Sequence, residues 1–176
     1  LMYYLFDYYS ELMRFMDSGG DVLWLIAILS LCMWTIIIER VWYYRTELKT
    51  DVNAAMDAWE ARSERKSWHA KQVRRLLISK ASLKINNLVP VIKTMTALCP
   101  LLGLLGTVTG MIEVFNIMAI TGGGDAKSMA GGVSKATIPT MAGMVAALSG
   151  VFAGTYIEGV AARDTQLLED HLTNDH

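Results

Sequence analysis

Three long runs without a charged residue constrain this chain more than any other feature. They cover 22–38, 94–112 and 136–157, which is 17, 19 and 22 residues. A helix rises about 1.5 Å per residue, so each run would cross most or all of a hydrocarbon core about 30 Å thick. With 53% hydrophobic and 19% charged residues, the chain is too apolar for an ordinary soluble domain. Disorder, collagen and a basic nucleic-acid-binding domain are excluded, and we predict an all-α membrane protein with three transmembrane helices.

The distribution of basic residues predicts the orientation. Of the 16 Lys and Arg residues, 12 lie in 39–93, and the positive-inside rule therefore makes this segment cytoplasmic. The N-terminus and the connection between the second and third spans then lie outside. The predicted order is an interfacial amphipathic helix at 1–20, spans at 21–40, 94–120 and 135–157, a cytoplasmic helical hairpin at 41–93, an outer turn at 121–134 and a cytoplasmic tail at 158–176.

The segment between the first two spans favours long helices. From Asp21 to Val89 there is neither Gly nor Pro, which indicates continuous or barely interrupted helix. A charged patch at 62–66 separates two stretches of helical periodicity, so we predict a hairpin that extends the membrane helices, with Pro90 as a kink or break. The alternative is that 39–93 forms a separate soluble domain, but 55 residues are few for an independent core.

Small residues recur along one face of the second and third spans. Such faces usually allow helices to pack closely, and packing alone would explain them. The alternative is that they also line an oligomeric pore or grip a partner helix. The residues of these faces that we predict to pack are Gly103, Gly106, Gly110, Gly143, Ala147, Gly150 and Gly154.

Thr107 and Thr140 are the polar candidates on these small faces. A hydroxyl both donates and accepts a hydrogen bond, so a ring of Thr could hold water or contact a carboxylate of another chain. An intramembrane Thr can instead simply bond to its own preceding turn. The sequence leaves both interpretations open.

Glu113 and Lys135 form a possible polar pair near the outer ends of the second and third spans. Glu113 is the only acid in 94–120. Either the two side chains pair or reach the interface separately, or Glu113 handles protons. We predict that they approach each other.

The sequence contains no enzyme signature. Cys32 and Cys99 lie in different predicted spans, and the three His residues do not cluster, so neither a metal site nor Cys/His catalysis is indicated. We expect a protein that is not an enzyme and that needs no cofactor.

Two segments carry a resemblance to a known family. They are PLLGLLGTVTGMIEVF at 100–115 and GGVSKATIPTMAG at 131–143, which resemble the two signature helices of the MotA/TolQ/ExbB proton channel family. The ExbB branch is the most similar, and the number of spans argues against the flagellar MotA branch. The resemblance implies a homopentameric bundle around a central pore in the bacterial inner membrane, with the N-terminus periplasmic and the C-terminus cytoplasmic.

The resemblance also implies partners and residue roles. The pore would hold an ExbD-like single-span protein with an intramembrane Asp, and proton-motive force would pass to a TonB-like protein to energise TonB-dependent outer-membrane transport. The pore-facing threonines of the family correspond to Thr107 and Thr140. Relatives carry Glu where Lys135 stands, so the proton-handling carboxylate would be the partner's Asp. The alternatives are a TolQ-like subunit for envelope maintenance and a purely structural membrane scaffold.

Overall fold

The computed structural model describes residues 2–61, 67–122 and 126–171, and these residues form five helices. Three long segments, Phe6–Thr46, Trp68–Ile120 and Met129–His171, are apolar enough to contain a membrane crossing. The all-helical prediction with three potential spans is therefore confirmed. The helices are α1 (Met2–Thr46), α2 (Leu48–Glu60), α3 (Trp68–Ile85), α4 (Val89–Thr121) and α5 (Ala126–His171).

The chain divides into two compact units. The first, called the glycine-rich unit below, comprises Leu1–Met33 and Thr94–Val151. The second, called the hairpin unit, comprises Trp34–Lys93 and Phe152–His176. Helices α1, α4 and α5 each contribute residues to both units.

In the glycine-rich unit, α1 changes direction at one residue. Gly20 has φ 68° and ψ −166°, a backbone conformation that a side chain would strain. It separates the N-terminal turns, where Phe6 and Leu12 are largely exposed, from the segment predicted to be the first span. Beyond Gly20, one face of α1 is buried through Leu23, Ile26 and Met33.

The hairpin unit has a conventional apolar core. Trp59, Ala70, Ala81 and Leu168 form one buried cluster, which brings α2, α3 and the last turns of α5 together. Leu48, Ile85 and Ala161 form a second. Helix α3 begins with a capped turn, because the Ser67 side chain accepts a hydrogen bond from the Ala70 N–H.

Helix boundaries in the hairpin differ from the prediction at Pro90. The chain leaves α3 at Asn86 and passes Leu88, which has φ 64°, before α4 begins at Val89. Pro90 is thus the second residue of α4 rather than a break. Its missing N–H is harmless there, because the first helical N–H groups have no intrahelical acceptor.

Helix α5 is longer than the predicted third span at both ends. It begins at Ala126 instead of 135, so the predicted turn 121–134 is mostly helical; residues 123–125 lie outside the described part. Gly132, in this first part of α5, lies against the Val114 side chain of α4, where a Cβ would clash. At the other end α5 continues to His171, and the first part of the predicted tail is therefore helix. The charged patch 62–66 also lies outside the described residues.

Candidate functional site

The candidate site is the surface along which α4 and α5 meet. A Cβ added to Gly103 would lie 2.9 Å from Thr140 Cα, and one added to Gly110 would lie 2.6 Å from Ala136 Cβ. Both distances are shorter than van der Waals contact. These two glycines therefore allow the helices to approach at backbone distance.

Two further glycines belong to the same contact, one between these two pairs and one beyond them. Gly106 lies against the Pro139 ring, and a Cβ on Gly143 would lie 2.5 Å from the carbonyl oxygen of Cys99. Residue numbers rise along α4 as those of the contacting residues in α5 fall, so the two helices are antiparallel neighbours. Pro139, which could have kinked α5, instead fills the space that Gly106 leaves.

Helix α1 joins this contact at Gly150. A Cβ there would lie 2.6 Å from Thr96 Oγ1 and 2.7 Å from Met33 Sδ. Thr96 is buried and its hydroxyl lies 3.3 Å from Met33 Sδ. Met33, which is fully buried, had no distinguishing feature in the sequence, because a Met in an apolar run is equally suited to lipid.

The remaining predicted packing residues are less tightly enclosed. Ala147 is buried at 9% exposure. Gly154, in the hairpin unit, would place a Cβ at an ordinary contact distance of 3.7 Å from Ile92 Cγ2. Close approach is therefore a property of Gly103, Gly106, Gly110, Gly143 and Gly150.

Thr107 and Thr140 bond to the carbonyls of consecutive residues of α4. Thr140 Oγ1 donates across the helix contact to the carbonyl of Gly103 at 2.9 Å. Thr107 Oγ1 donates within its own helix to the carbonyl of Leu104 at 2.7 Å. Both threonines are half-buried. Thr140 therefore links the two helices, whereas Thr107 bonds within α4, and each hydroxyl has its proton committed to a carbonyl and its oxygen able to accept.

Glu113 and Lys135 also come together between α4 and α5. Lys135 Nζ lies 3.7 Å from Glu113 Oε1, and the two side chains are 44% and 59% exposed, respectively. At this distance and exposure the pair contributes little to stability in water. Its chemical effect is to place a cation beside the one acid of 94–120.

The hairpin unit contains a polar network that the sequence did not predict. Asp51 accepts a hydrogen bond from the Tyr43 hydroxyl at 2.7 Å and lies 2.9 Å from Lys84 Nζ. These hydrogen bonds, first from Tyr43 and then from Lys84, hold the pKa of Asp51 below its usual range. The network ties the start of α2 to the end of α1 and to α3.

The C-terminal carbonyls of α3 are satisfied by the end of α1. The Tyr44 hydroxyl donates to the carbonyl of Ile85 at 2.7 Å, and Arg40 Nη1 donates to that of Lys84 at 3.3 Å. Arg40 is 5% exposed, and its charge suits the negative end of a helix dipole. Nothing in the sequence could have paired these residues, because they are more than 40 positions apart.

The fold and the small-residue contact define a helical protein with three potential membrane spans, and comparison with known proteins identifies its family. Residues 45–170 match the MotA/TolQ/ExbB proton channel family. The chain belongs to this family, and the resemblance predicted from its two signature segments is confirmed.

Two relatives from Synechocystis sp. carry the name biopolymer transport protein ExbB-like. ExbB-like 1 is 32% identical, and the match covers 74% of this chain and 64% of the relative. ExbB-like 3 is 30% identical over 44% of this chain and 38% of the relative. The chain thus spans less than two thirds of the length of either relative.

Proposed function

We propose that this chain is the channel-forming subunit of a proton-driven motor in the bacterial inner membrane. Several copies, five by resemblance to the family, surround a central pore that holds the membrane span of a partner. The chain performs no covalent chemistry and acts by moving a proton and changing the position of the partner. Family membership and the three apolar segments support this proposal.

The observation that carries the proposal is the arrangement of Thr107 and Thr140. Each hydroxyl donates to a carbonyl of α4, at Leu104 and Gly103, and therefore presents its oxygen as an acceptor. A protonated carboxyl group can donate to such an acceptor, whereas an ionised carboxylate has no proton to donate. A hydrogen bond to the neutral form favours that form. The two threonines are thus suited to stabilise a protonated carboxyl group that reaches them in the pore.

The carboxyl group comes from the partner in this proposal. Glu113 is the only acid in 94–120, there is none in 135–157, and Glu113 already faces Lys135. An ExbD-like single-span protein with an intramembrane Asp would supply the group. Proton uptake by the Asp would let its side chain approach Thr107 and Thr140, and loss of the proton would drive the side chain away. The protonation state would thus bias the position of one subunit relative to the other.

Orientation and biological role complete the proposal. The basic segment 39–93 lies in the cytoplasm and the N-terminus in the periplasm, as the positive-inside rule predicts. The names of the Synechocystis relatives favour the ExbB branch. The motor would then transfer energy to a TonB-like protein for outer-membrane transport, and the alternative is a TolQ-like role in envelope maintenance. Loss of ligand uptake on gene deletion supports the first, and loss of envelope integrity supports the second.

The decisive experiment removes the two hydroxyls without changing side-chain shape. The chain is co-purified with its partner and reconstituted into vesicles, and proton flux is measured for Thr107→Val, Thr140→Val and the double variant. We expect the double variant to lose about tenfold in flux, because two neutral hydrogen bonds worth about 0.5–1.5 kcal/mol each are removed and about 1.4 kcal/mol corresponds to a factor of ten. Full proton flux in the double variant would refute the pore role of these residues.

A matched control and a partner search complete the experiment. Thr109 also bonds to its own preceding turn, at 3.0 Å from the Leu105 carbonyl, but it points to another side of α4. Thr109→Val should leave flux unchanged, and Thr107→Ser and Thr140→Ser should retain it. If no single-span chain with an intramembrane Asp co-purifies, the scaffold alternative is favoured instead.

A further inference from the structure

The hairpin unit contains a groove that the proposed proton pathway does not use. It has a volume of about 490 Å³ and runs between the end of α1 with α2 on one side and the last third of α5 on the other. Its volume is within the range of about 300–1,000 Å³ typical of ligand sites.

Apolar residues of α1, α2 and α5 line much of the groove, beside the polar residues Tyr44, Asn53, Tyr156 and His171. Val41, Leu48 and Val52 line one wall, and Val160 and Leu167 line the other. Leu48 and Val52 are four residues apart in α2, and Val160 and Leu167 are seven apart in α5, so each pair lies on one side of its helix. A hydrocarbon chain is the natural occupant of such walls.

The rim of the groove is basic. Arg45, Lys49 and Arg163 line it together with a single acid, Asp164, which leaves an excess of positive charge. Asp164 is matched by its neighbour, since Arg163 Nε lies 3.6 Å from Asp164 Oδ1. Within the described residues no ion pair joins Arg45 or Lys49 to a carboxylate. An anionic group would be complementary to this rim.

The basic residues lie where lipid headgroups would be. Arg45 follows the predicted end of the first span at Arg40 by five residues, and Arg163 follows the end of the third at Ile157 by six. At about 1.5 Å per residue, both are within about 10 Å of the hydrocarbon boundary. Helical side chains tilt toward the N-terminus, which here is toward the membrane, so both guanidinium groups can reach the headgroup layer.

We propose that this groove binds an anionic phospholipid of the adjacent leaflet, with its headgroup at Arg45, Lys49 and Arg163 and the first part of an acyl chain along Val41 and Val160, the apolar lining residues nearest the membrane. Basic pockets beside membrane helices attract acidic headgroups, and each Lys or Arg strengthens the attraction. The inference rests on the proposed positions of the spans and is independent of the proton pathway.

The test compares two lipids on the purified full-length chain. The delipidated protein is titrated with phosphatidylglycerol or phosphatidylcholine, and bound lipid is counted by native mass spectrometry. We expect phosphatidylglycerol to bind at least about fivefold more tightly, and the triple variant Arg45→Gln/Lys49→Gln/Arg163→Gln to lose this preference. The matched control Lys71→Gln/Arg75→Gln/Lys80→Gln removes three exposed charges of α3 and should retain it.

A second variant tests the apolar walls. Val160→Trp fills the groove and should reduce phosphatidylglycerol binding by roughly the same factor, while Val145→Trp, at a position that is 69% exposed outside the groove, should not. Equal binding of both lipids by the natural chain would overturn the proposal, as would equal losses in the triple variant and its control. Crosslinking that places a second copy in the groove, with no lipid retained, would also overturn it. Because none of these measurements needs the partner, failure here would leave the proton-channel proposal standing.

Discussion

The α4–α5 contact of the glycine-rich unit and the core of the hairpin unit depend on different kinds of residue. In the first, α4 and α5 meet where side chains are missing, at Gly103, Gly110 and Gly143. In the second, helices meet through large buried side chains such as Trp59 and Leu168. One chain therefore uses two packing strategies.

The difference follows from the solvent that each region is suited to. Hydrophobic burial drives association in water, but lipid tails are as apolar as Leu, so that driving force vanishes between membrane helices. Close backbone approach and interhelical hydrogen bonds then remain, and the Thr140 bond to Gly103 is one. The hairpin unit instead adds a charged network around Asp51 to its apolar core.

The largest expected effect is in the hairpin unit. Trp59 is 3% exposed, and Trp59→Ala should cost about 3–5 kcal/mol, because truncating a buried aromatic leaves a cavity. Hydrogen exchange should rise in α2 and α3 and stay unchanged in 94–121. Trp68→Ala is the control, since Trp68 is 68% exposed. If both variants melt at the same temperature, the core assignment is wrong.

A smaller loss is expected on adding volume to the glycine-rich unit. Gly143→Ala brings a methyl group to 2.5 Å from a backbone carbonyl, and overpacking of this kind costs about 1–3 kcal/mol. The control is Gly159→Ala, which meets nothing within 4 Å and should stabilise the helix by up to about 1 kcal/mol. Thermal unfolding in detergent measures both. Stabilisation by both substitutions would show that close α4–α5 contact is not required.

The smallest expected effect is the pH dependence of the Asp51 network. Its lowered pKa means that the ionised group stabilises the fold above the unfolded-state pKa of about 3.9, and that this stabilisation is lost as the pH falls through the folded-state value. Asp51→Asn should therefore lower the melting temperature slightly at pH 7, which corresponds to less than about 1 kcal/mol of unfolding free energy, and should lower it by less at pH 3.

The control for this prediction is another acid of α2. Asp57 is exposed, and Asp57→Asn should change the melting temperature little at either pH. A penalty for Asp51→Asn that persists undiminished at pH 3 would mean that the contact acts through packing rather than charge.

The sequence predicted much of the glycine-rich unit because its signals are local. Small residues at helical spacing identified Gly103, Gly106 and Gly143, and the structure places all three at close approach between α4 and α5. The same local reasoning could not identify a buried face on the first span. Leu23 and Met33 are buried there, although apolar residues in a span are equally suited to lipid.

Contacts between distant segments could not be predicted. The caps that Tyr44 and Arg40 provide for α3, and the Tyr43–Asp51–Lys84 network, depend on where separate helices meet. Most of the segment predicted as an outer turn at 121–134 is also helix, since α5 begins at Ala126. Gly132 disfavours helix by propensity, yet its contact with Val114 suits a residue without a side chain.

By itself the sequence determined the three apolar spans, the small faces and the family resemblance, because each is written in the order of residues along one helix. Only the tertiary structure decided that the Thr140 hydroxyl bonds across to the carbonyl of Gly103, and that the groove has the basic rim of Arg45, Lys49 and Arg163. The physical reason is that periodicity reports which face of a helix is buried, whereas a hydrogen bond or a groove requires two helices at a particular distance and register.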